Sequence, residues 1–203
     1  MSLDTDIRRL AEAYRLAAEA HAGQRRRGIA QIPYVNHLCD VATLVAGSPS
    51  ADVAALTAAV LHDVVEDSEE VDLAQIERRF GARIAGVVAE LTDDPAWEAM
   101  PTAERKARQA GRARDASARA RLVKIADQIS NARDRVADVE ARPDEVARHR
   151  AWLDGARAVV DVCRGTDDTL EAAFDRAAGA LDRVIRRHEA ASDTTPEAKE
   201  ARP

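Results

Sequence analysis

The chain has 203 residues, of which 46% are hydrophobic, 33% charged and only 3% aromatic. That apolar content excludes a disordered chain, and the length suits one domain with a tail. Lys and Arg number 30 against 36 Asp and Glu, a net charge of −6; such a chain is a poor coat for DNA or RNA, although it can still hold a local basic pocket.

With few aromatics, the core must be Ala, Val, Leu and Ile, and this mixture favours helices. From Asp4, apolar positions at Ile7, Leu10, Tyr14, Ala17 and His21 step by three and four, a helical period. A polar loop, Gln24-Arg25-Arg26-Arg27, lies between Gly23 and Gly28, and Pro33 turns the chain into Tyr34, Asn36 and His37. A second helix starts near His37 and stops at Gly47-Ser48-Pro49. Asp52 suits a helix start, and the spacing predicts one helix over Val53–Val65, apolar all round and therefore central. A short amphipathic helix over Asp72–Phe80 turns Leu73, Ile76 and Phe80 inward, and another carries Ile84, Val87, Val88 and Leu91. The Arg-rich stretch Ala96–Ala118 has weak periodicity and is expected to be helical in part and mobile in part. Further helices carry Leu122–Ile129, then Val146–Val162, and finally Asp168 to about Glu189. No strand-like alternation of useful length occurs, so the expected fold is all-α: one domain over 1–190, then a disordered tail over 191–203.

Cys39 and Cys163 stand far apart with no CxxC spacing, which suits reduced thiols. The first residues lack a basic-then-apolar signal pattern, and no stretch approaches the roughly 18 apolar residues of a membrane span. A cytoplasmic protein with no membrane partner is expected.

The buried run Val53–Leu61 ends abruptly in His62-Asp63 and Glu66-Asp67. On a continuous helix His62 and Glu66 share one stripe, and Asp63 and Asp67 the next. Three carboxylates against an apolar core repel one another and are costly to desolvate. A divalent cation relieves both penalties. With His37 and Asp127 added, four N/O ligands come from three separate helices, a set that suits Mn²⁺, Fe²⁺ or Zn²⁺ better than Ca²⁺. The bland alternative is a polar helix end meeting water.

The order His37, His62-Asp63, Asp127 resembles the signature of the HD-domain metal-dependent phosphohydrolases. Gln24–Arg27, Pro33–His37, Leu61–Asp67 and Lys124–Asp134 are similar to the hydrolase domain of the Rel/SpoT alarmone enzymes, and most of all to the small stand-alone alarmone hydrolases of the metazoan type. The resemblance spans roughly residues 5–188. It implies an HD-domain helical bundle with a buried metal-binding central helix. The implied activity is manganese-dependent hydrolysis of the 3′-pyrophosphate of (p)ppGpp to GDP or GTP and pyrophosphate. It also implies that His37, His62, Asp63 and Asp127 hold the metal and that Glu66 and Asp67 orient or deprotonate the attacking water. Arg26, Arg27, Lys106, Asn131, Arg148 and Trp152 are the implied substrate contacts.

The chain departs from the family in places: Gln128 stands where a Lys is common, Leu38 where a Pro is usual, Trp152 where Tyr is frequent, and residues 95–118 match least. The competing readings are an HD phosphohydrolase of another nucleotide, such as a 2′-phosphatase of NADPH, and a non-catalytic HD binding module. Retention of Glu66 and Asp67 speaks against the latter.

Overall fold

The structure is a computed structural model that describes residues 3–193. Ten α-helices run in order: α1 Leu3–Ala20, α2 Val35–Ala46, α3 Val53–Leu61, α4 Val64–Asp67, α5 Leu73–Phe80, α6 Ala82–Leu91, α7 Thr102–Asp115, α8 Ala118–Ala141, α9 Val146–Asp161 and α10 Asp168–Asp193. Short 3-10 turns at Pro95–Trp97 and Pro143–Glu145 precede α7 and α9. The described residues contain no strand, only an isolated bridge between Arg25 and Pro33. No helix among them is long and apolar enough to cross a membrane. Residues 194–203, on which most of the expected tail falls, lie outside the described residues.

The helices start where side chains satisfy their free N–H groups. Asp52 accepts from Ala55 N–H (2.9 Å) and Asp72 from Gln75 N–H (2.7 Å). Ser117 caps α8 (3.3 Å), and Glu90 in turn accepts from the Ser117 hydroxyl (2.6 Å). At the start of α10, Asp167 accepts from Leu170 N–H (2.9 Å) and from the Ser48 hydroxyl (2.5 Å), tying the end of α2 to the last helix. Each such cap is worth about 1 kcal/mol.

Helix α8 is the spine, packed against α2, α3, α6, α9 and α10. α3 lies beside it, and its small residues Ala54, Ala55, Ala58 and Ala59 let α1, α2 and α6 approach closely. Leu38, Val41, Leu61, Ile125, Ile129, Leu153, Leu181 and Ile185 fill the centre. Each large aliphatic side chain buried there contributes roughly 1.5–3 kcal/mol.

Several expectations change. The helix over Val53–Val65 is two helices: α3 ends at Leu61, and α4 restarts at Val64. Asp63, at φ −101° and ψ −6°, flattens the chain between them, so His62-Asp63 forms a corner rather than a helix interior. Ile7, part of the apolar period of α1, is 57% exposed. The Arg-rich stretch contains a full 14-residue helix, α7. Its weak periodicity reflects how little of it is buried: only Lys106 and Ala113 are.

That one contact is tight. A Cβ at Gly155 of α9 would stand 2.5 Å from the Lys106 Cβ. Only a residue without a side chain lets α7 lie this close on α9. Gly155→Ala is therefore expected to destabilise the protein by about 1–3 kcal/mol despite the better helix propensity of Ala. Gly111→Ala in α7, where nothing lies within 4 Å, should instead gain about 0.5–1 kcal/mol. Urea unfolding of both variants checks the pair; equal effects would refute the packing account.

Candidate metal centre and its cavity

Three elements deliver the central cluster: the first turn of α2 (His37), the corner between α3 and α4 (His62, Asp63) and the middle of α8 (Asp127). His37 Nε2 lies 3.2 Å from Asp127 Oδ1 and 3.7 Å from Asp63 Oδ2. His62 Nε2 lies 3.2 Å from Asp63 Oδ2 and 3.9 Å from Asp127 Oδ1. One ligand atom from each of His37, His62 and Asp63 falls within 4.8 Å of the others, and Asp127 closes the fourth side.

The second nitrogen of each ring is held from behind. His62 Nδ1 bonds the Ala59 carbonyl (2.8 Å) and His37 Nδ1 the Ser130 hydroxyl (3.0 Å). A carbonyl can only accept, so the His62 proton sits on Nδ1 and leaves Nε2 facing the cluster. Tyr34 donates to Asp63 Oδ2 (2.6 Å), while its ring stacks on His21 at 4.8 Å. Gln128 donates to Asp127 Oδ2 (2.6 Å), and Asn131 donates to Oδ1.

These residues fit a divalent transition metal. His62 Nε2 is buried and makes no hydrogen bond, although it faces two carboxylates. A buried nitrogen without a partner is a costly arrangement that a cation would relieve. The donor set is two imidazoles and two carboxylates, with no thiolate.

The charges agree with the crowding. Burial alone would raise the pKa of Asp63 and Asp127, but the charges of His62 and His37 outweigh it and hold both well below the usual carboxylate range. Burial works against the His62 proton too, yet Asp63 and Asp127 push its pKa up to about 9. Glu66 goes the other way: burial, then the Asp63 and Asp93 charges, push it up to about 7.

Glu66 and Asp67 diverge instead of closing the same ring of ligands. Glu66 accepts from Asp93 N–H, and Asp67 accepts from the Gln24 amide (2.9 Å). Both line a cavity of about 670 Å³ that also reaches Tyr34, His37, Asp63 and Asp127. The cavity is lined by charges of both signs: Asp63, Glu66, Asp67 and Asp93 are among its carboxylates, and Arg105, Lys106, Arg135 and Arg148 among its cations.

The expected substrate residues all line this cavity, in different states. Arg26 is already engaged, donating to Asp134 (2.7 Å) and Asn131 (2.8 Å). Arg27 is exposed at the mouth. Arg148 is more than half exposed and paired with Glu145 (2.8 Å). Lys106 is no surface charge: it is 5% exposed, donates to Gln128 Oε1 (2.8 Å) and lies 5.3 Å from the Trp152 ring. Trp152 is buried and carries Arg135 at 4.3 Å on its ring. The departure at Gln128 thus has a physical reason. It links Lys106 to Asp127, where a second ammonium would repel the first.

Tyr34, Lys124, Asp134 and Arg135 are among the cavity residues to which the sequence assigned no role. Lys124 and Arg135 stand three before and eight after Asp127, within the face of α8 that carries Asn131. That spacing was the available signal.

A model of the HD domain matches residues 13–152. The chain belongs to the HD-domain family. It is 40% identical over 124 residues to the guanosine-3′,5′-bis(diphosphate) 3′-pyrophosphohydrolase MESH1 of Drosophila melanogaster, covering 61% of this chain and 67% of that protein. To human MESH1 it is 38% identical over 133 residues, 65% of this chain and 72% of the relative. A solved structure of a metazoan ortholog of SpoT that hydrolyses ppGpp aligns with a TM-score of 0.72 at 35% identity, covering 83% of this chain and 93% of that one.

Burial depresses the Lys106 pKa from 10.5 to about 7. Below about pH 7 the ammonium is charged in folded and unfolded chains alike, and the full burial cost applies. That cost fades as pH rises toward 10.5, where the unfolded chain also loses its proton. Lys106→Met should therefore stabilise the protein, by on the order of a few kcal/mol at pH 6 and much less at pH 10. Denaturant titrations at the two pH values measure this, and a pH-independent gain would refute it.

Proposed function

We propose that this protein is a metal-dependent guanosine-3′,5′-bis(diphosphate) 3′-pyrophosphohydrolase, converting (p)ppGpp to GDP or GTP and pyrophosphate. The observation that carries the reading is the convergence of His37, His62, Asp63 and Asp127 beside a cavity that Arg26, Arg27, Arg105, Lys106, Arg135 and Arg148 also line. The activity of the MESH1 relatives supports it.

In this reading the four clustered side chains hold the ion, and manganese suits their donor set. When bound, the ion supplies a Lewis acid that makes hydroxide accessible near neutral pH and offsets phosphate charge. The chain's residues do the rest. Glu66, with a proton affinity near neutrality, accepts the proton of the attacking water. Its hydrogen bond from Asp93 N–H fixes where the carboxylate stands. Asp67, steadied by Gln24, orients the water. The new bond forms from the water oxygen to phosphorus, and the bond from that phosphorus to ribose O3′ breaks. Arg26, Arg27, Lys106 and Arg148 offset phosphate charge, Asn131 reaches the substrate beside the cluster, and Trp152 supplies an apolar stacking wall. Free thiols at Cys39 and Cys163 fit a cytoplasmic enzyme.

Two variants separate ion binding from proton transfer. Asp63→Ala should lose bound metal and all measurable turnover, as read by metal analysis and phosphate release. Glu66→Gln should keep its metal and lose turnover by roughly 10²–10⁴-fold; wild-type rates would remove Glu66 from its role. The substrate is tested with ppGpp, pppGpp, NADPH and cyclic nucleotides in Mn²⁺, with products separated by chromatography. Pyrophosphate from the guanosine substrates alone is the expected result. Orthophosphate from NADPH alone would replace the assignment with a 2′-phosphatase.

A further inference from the structure

Arg135 is the least explained charge in the cavity. Most of its side chain is buried, and it lies over the Trp152 ring at 4.3 Å. Among the described residues its hydrogen bond is to His149 Nδ1, at 3.3 Å, and none of their carboxylates stands within 4.0 Å of its guanidinium or of Arg105, which also lines the cavity. The carboxylates at this end are engaged elsewhere. Asp134 holds Arg26, Glu145 holds Arg142 and Arg148, and Asp138 accepts from Ile29 N–H. Burial, and then the Arg148 charge, make the Arg135 proton easier to lose; Asp138 opposes this, Arg26 and Arg105 add to it, and the pKa is lowered to about 10. It therefore stays protonated at neutral pH, in a crowd of like charges that an anion would relieve. The indole under it fixes the fork in place and leaves N–H groups free for planar, bidentate contact with phosphate.

Position along α8 says which phosphate. Arg135 is eight residues beyond Asp127 on an unbroken helix, which is about 12 Å along the axis. A phosphate on the Arg135 fork, over the Trp152 ring, lies further along α8 than one beside the imidazoles. We propose that Arg135, assisted by Arg105, is a second anion subsite that takes the 5′-phosphates of the nucleotide while its 3′-pyrophosphate faces the metal centre. This rests on the proposed activity and adds to it a residue that sets specificity for the 5′ end. With the metal centre taking the 3′ end and Arg135 the 5′ end, the cavity also fixes the direction in which the substrate lies.

The test compares Arg135→Leu, which keeps an apolar side chain on Trp152, and Arg135→Lys, which keeps the charge but not the fork. Both are first checked for wild-type thermal unfolding and bound metal. Substrates are pppGpp, ppGpp and guanosine 5′-monophosphate 3′-diphosphate. For Arg135→Leu, KM for the first two should rise at least about tenfold with kcat within about twofold, while the 5′-monophosphate substrate changes by less than about threefold. Arg135→Lys should fall between. A calorimetric titration with GDP, which carries only the 5′ group, should show at least about tenfold weaker binding to Arg135→Leu. Equal KM changes on all three substrates, unchanged GDP affinity or no GDP binding by the wild type would each overturn the subsite. If the wild type cleaves none of the substrates yet binds GDP through Arg135, the subsite stands and the proposed activity falls.

Discussion

Two carboxylates and two imidazoles are pressed together at the end of an apolar bundle, and the surrounding structure is arranged to hold them there. Asp63 and Asp127 could not both stay ionised in such a place without the positive charge of the neighbouring rings. Each group is fixed from behind, by the Ala59 carbonyl, Ser130, Tyr34, Gln128 or Asn131. These outer partners fix ring orientations and carboxylate rotamers before any ion arrives, so little ordering remains to be done on binding. Glu66 feels the same crowding one turn further on. With no imidazole against it, its proton affinity rises instead of falling. Two carboxylates three residues apart thus acquire opposite character from their surroundings alone.

The fold class and the central cluster were legible in the sequence because both rest on local patterns. Helical periodicity marks the helices, and the abrupt change from Leu61 to His62-Asp63 marks the site. The corner between α3 and α4 was not legible. Ala-rich helix propensity runs straight through it, and only tertiary packing turns the chain at Asp63. The α7 region was only partly legible, for the opposite reason. Its helix buries so little that periodicity has almost nothing to report, and the burial of Lys106 depends on Gly155, a residue 49 positions away (155 − 106). The arginine loop shows a third limit. Arg25, Arg26 and Arg27 look alike in sequence, yet one bonds the Gln31 carbonyl, one is neutralised by Asp134 and one is exposed. Which cation is free to meet an anion is a property of its neighbours.

The cavity has a rigid spine. α8 carries Lys124, Asp127, Asn131, Asp134, Arg135 and Asp138 within one unbroken 24-residue helix. Loop 24–33 folds against its far part through the Arg26–Asp134 pair and through Gly28, whose φ of +115° brings the chain to within 2.5 Å of Asp138 for any added Cβ. The separation of Asp127 from Arg135 is therefore set by helix geometry, not by loop conformation.

This makes α8 a ruler whose graduations cannot be respaced. One residue gained or lost between Asp127 and Arg135 would swing everything beyond it by about 100° and shift it by about 1.5 Å. Side chains along this helix can be exchanged one at a time, but its length between those two positions cannot drift. Any divergence in chain length near the cavity is left to the connections on either side of α7 and to the turn ahead of α9.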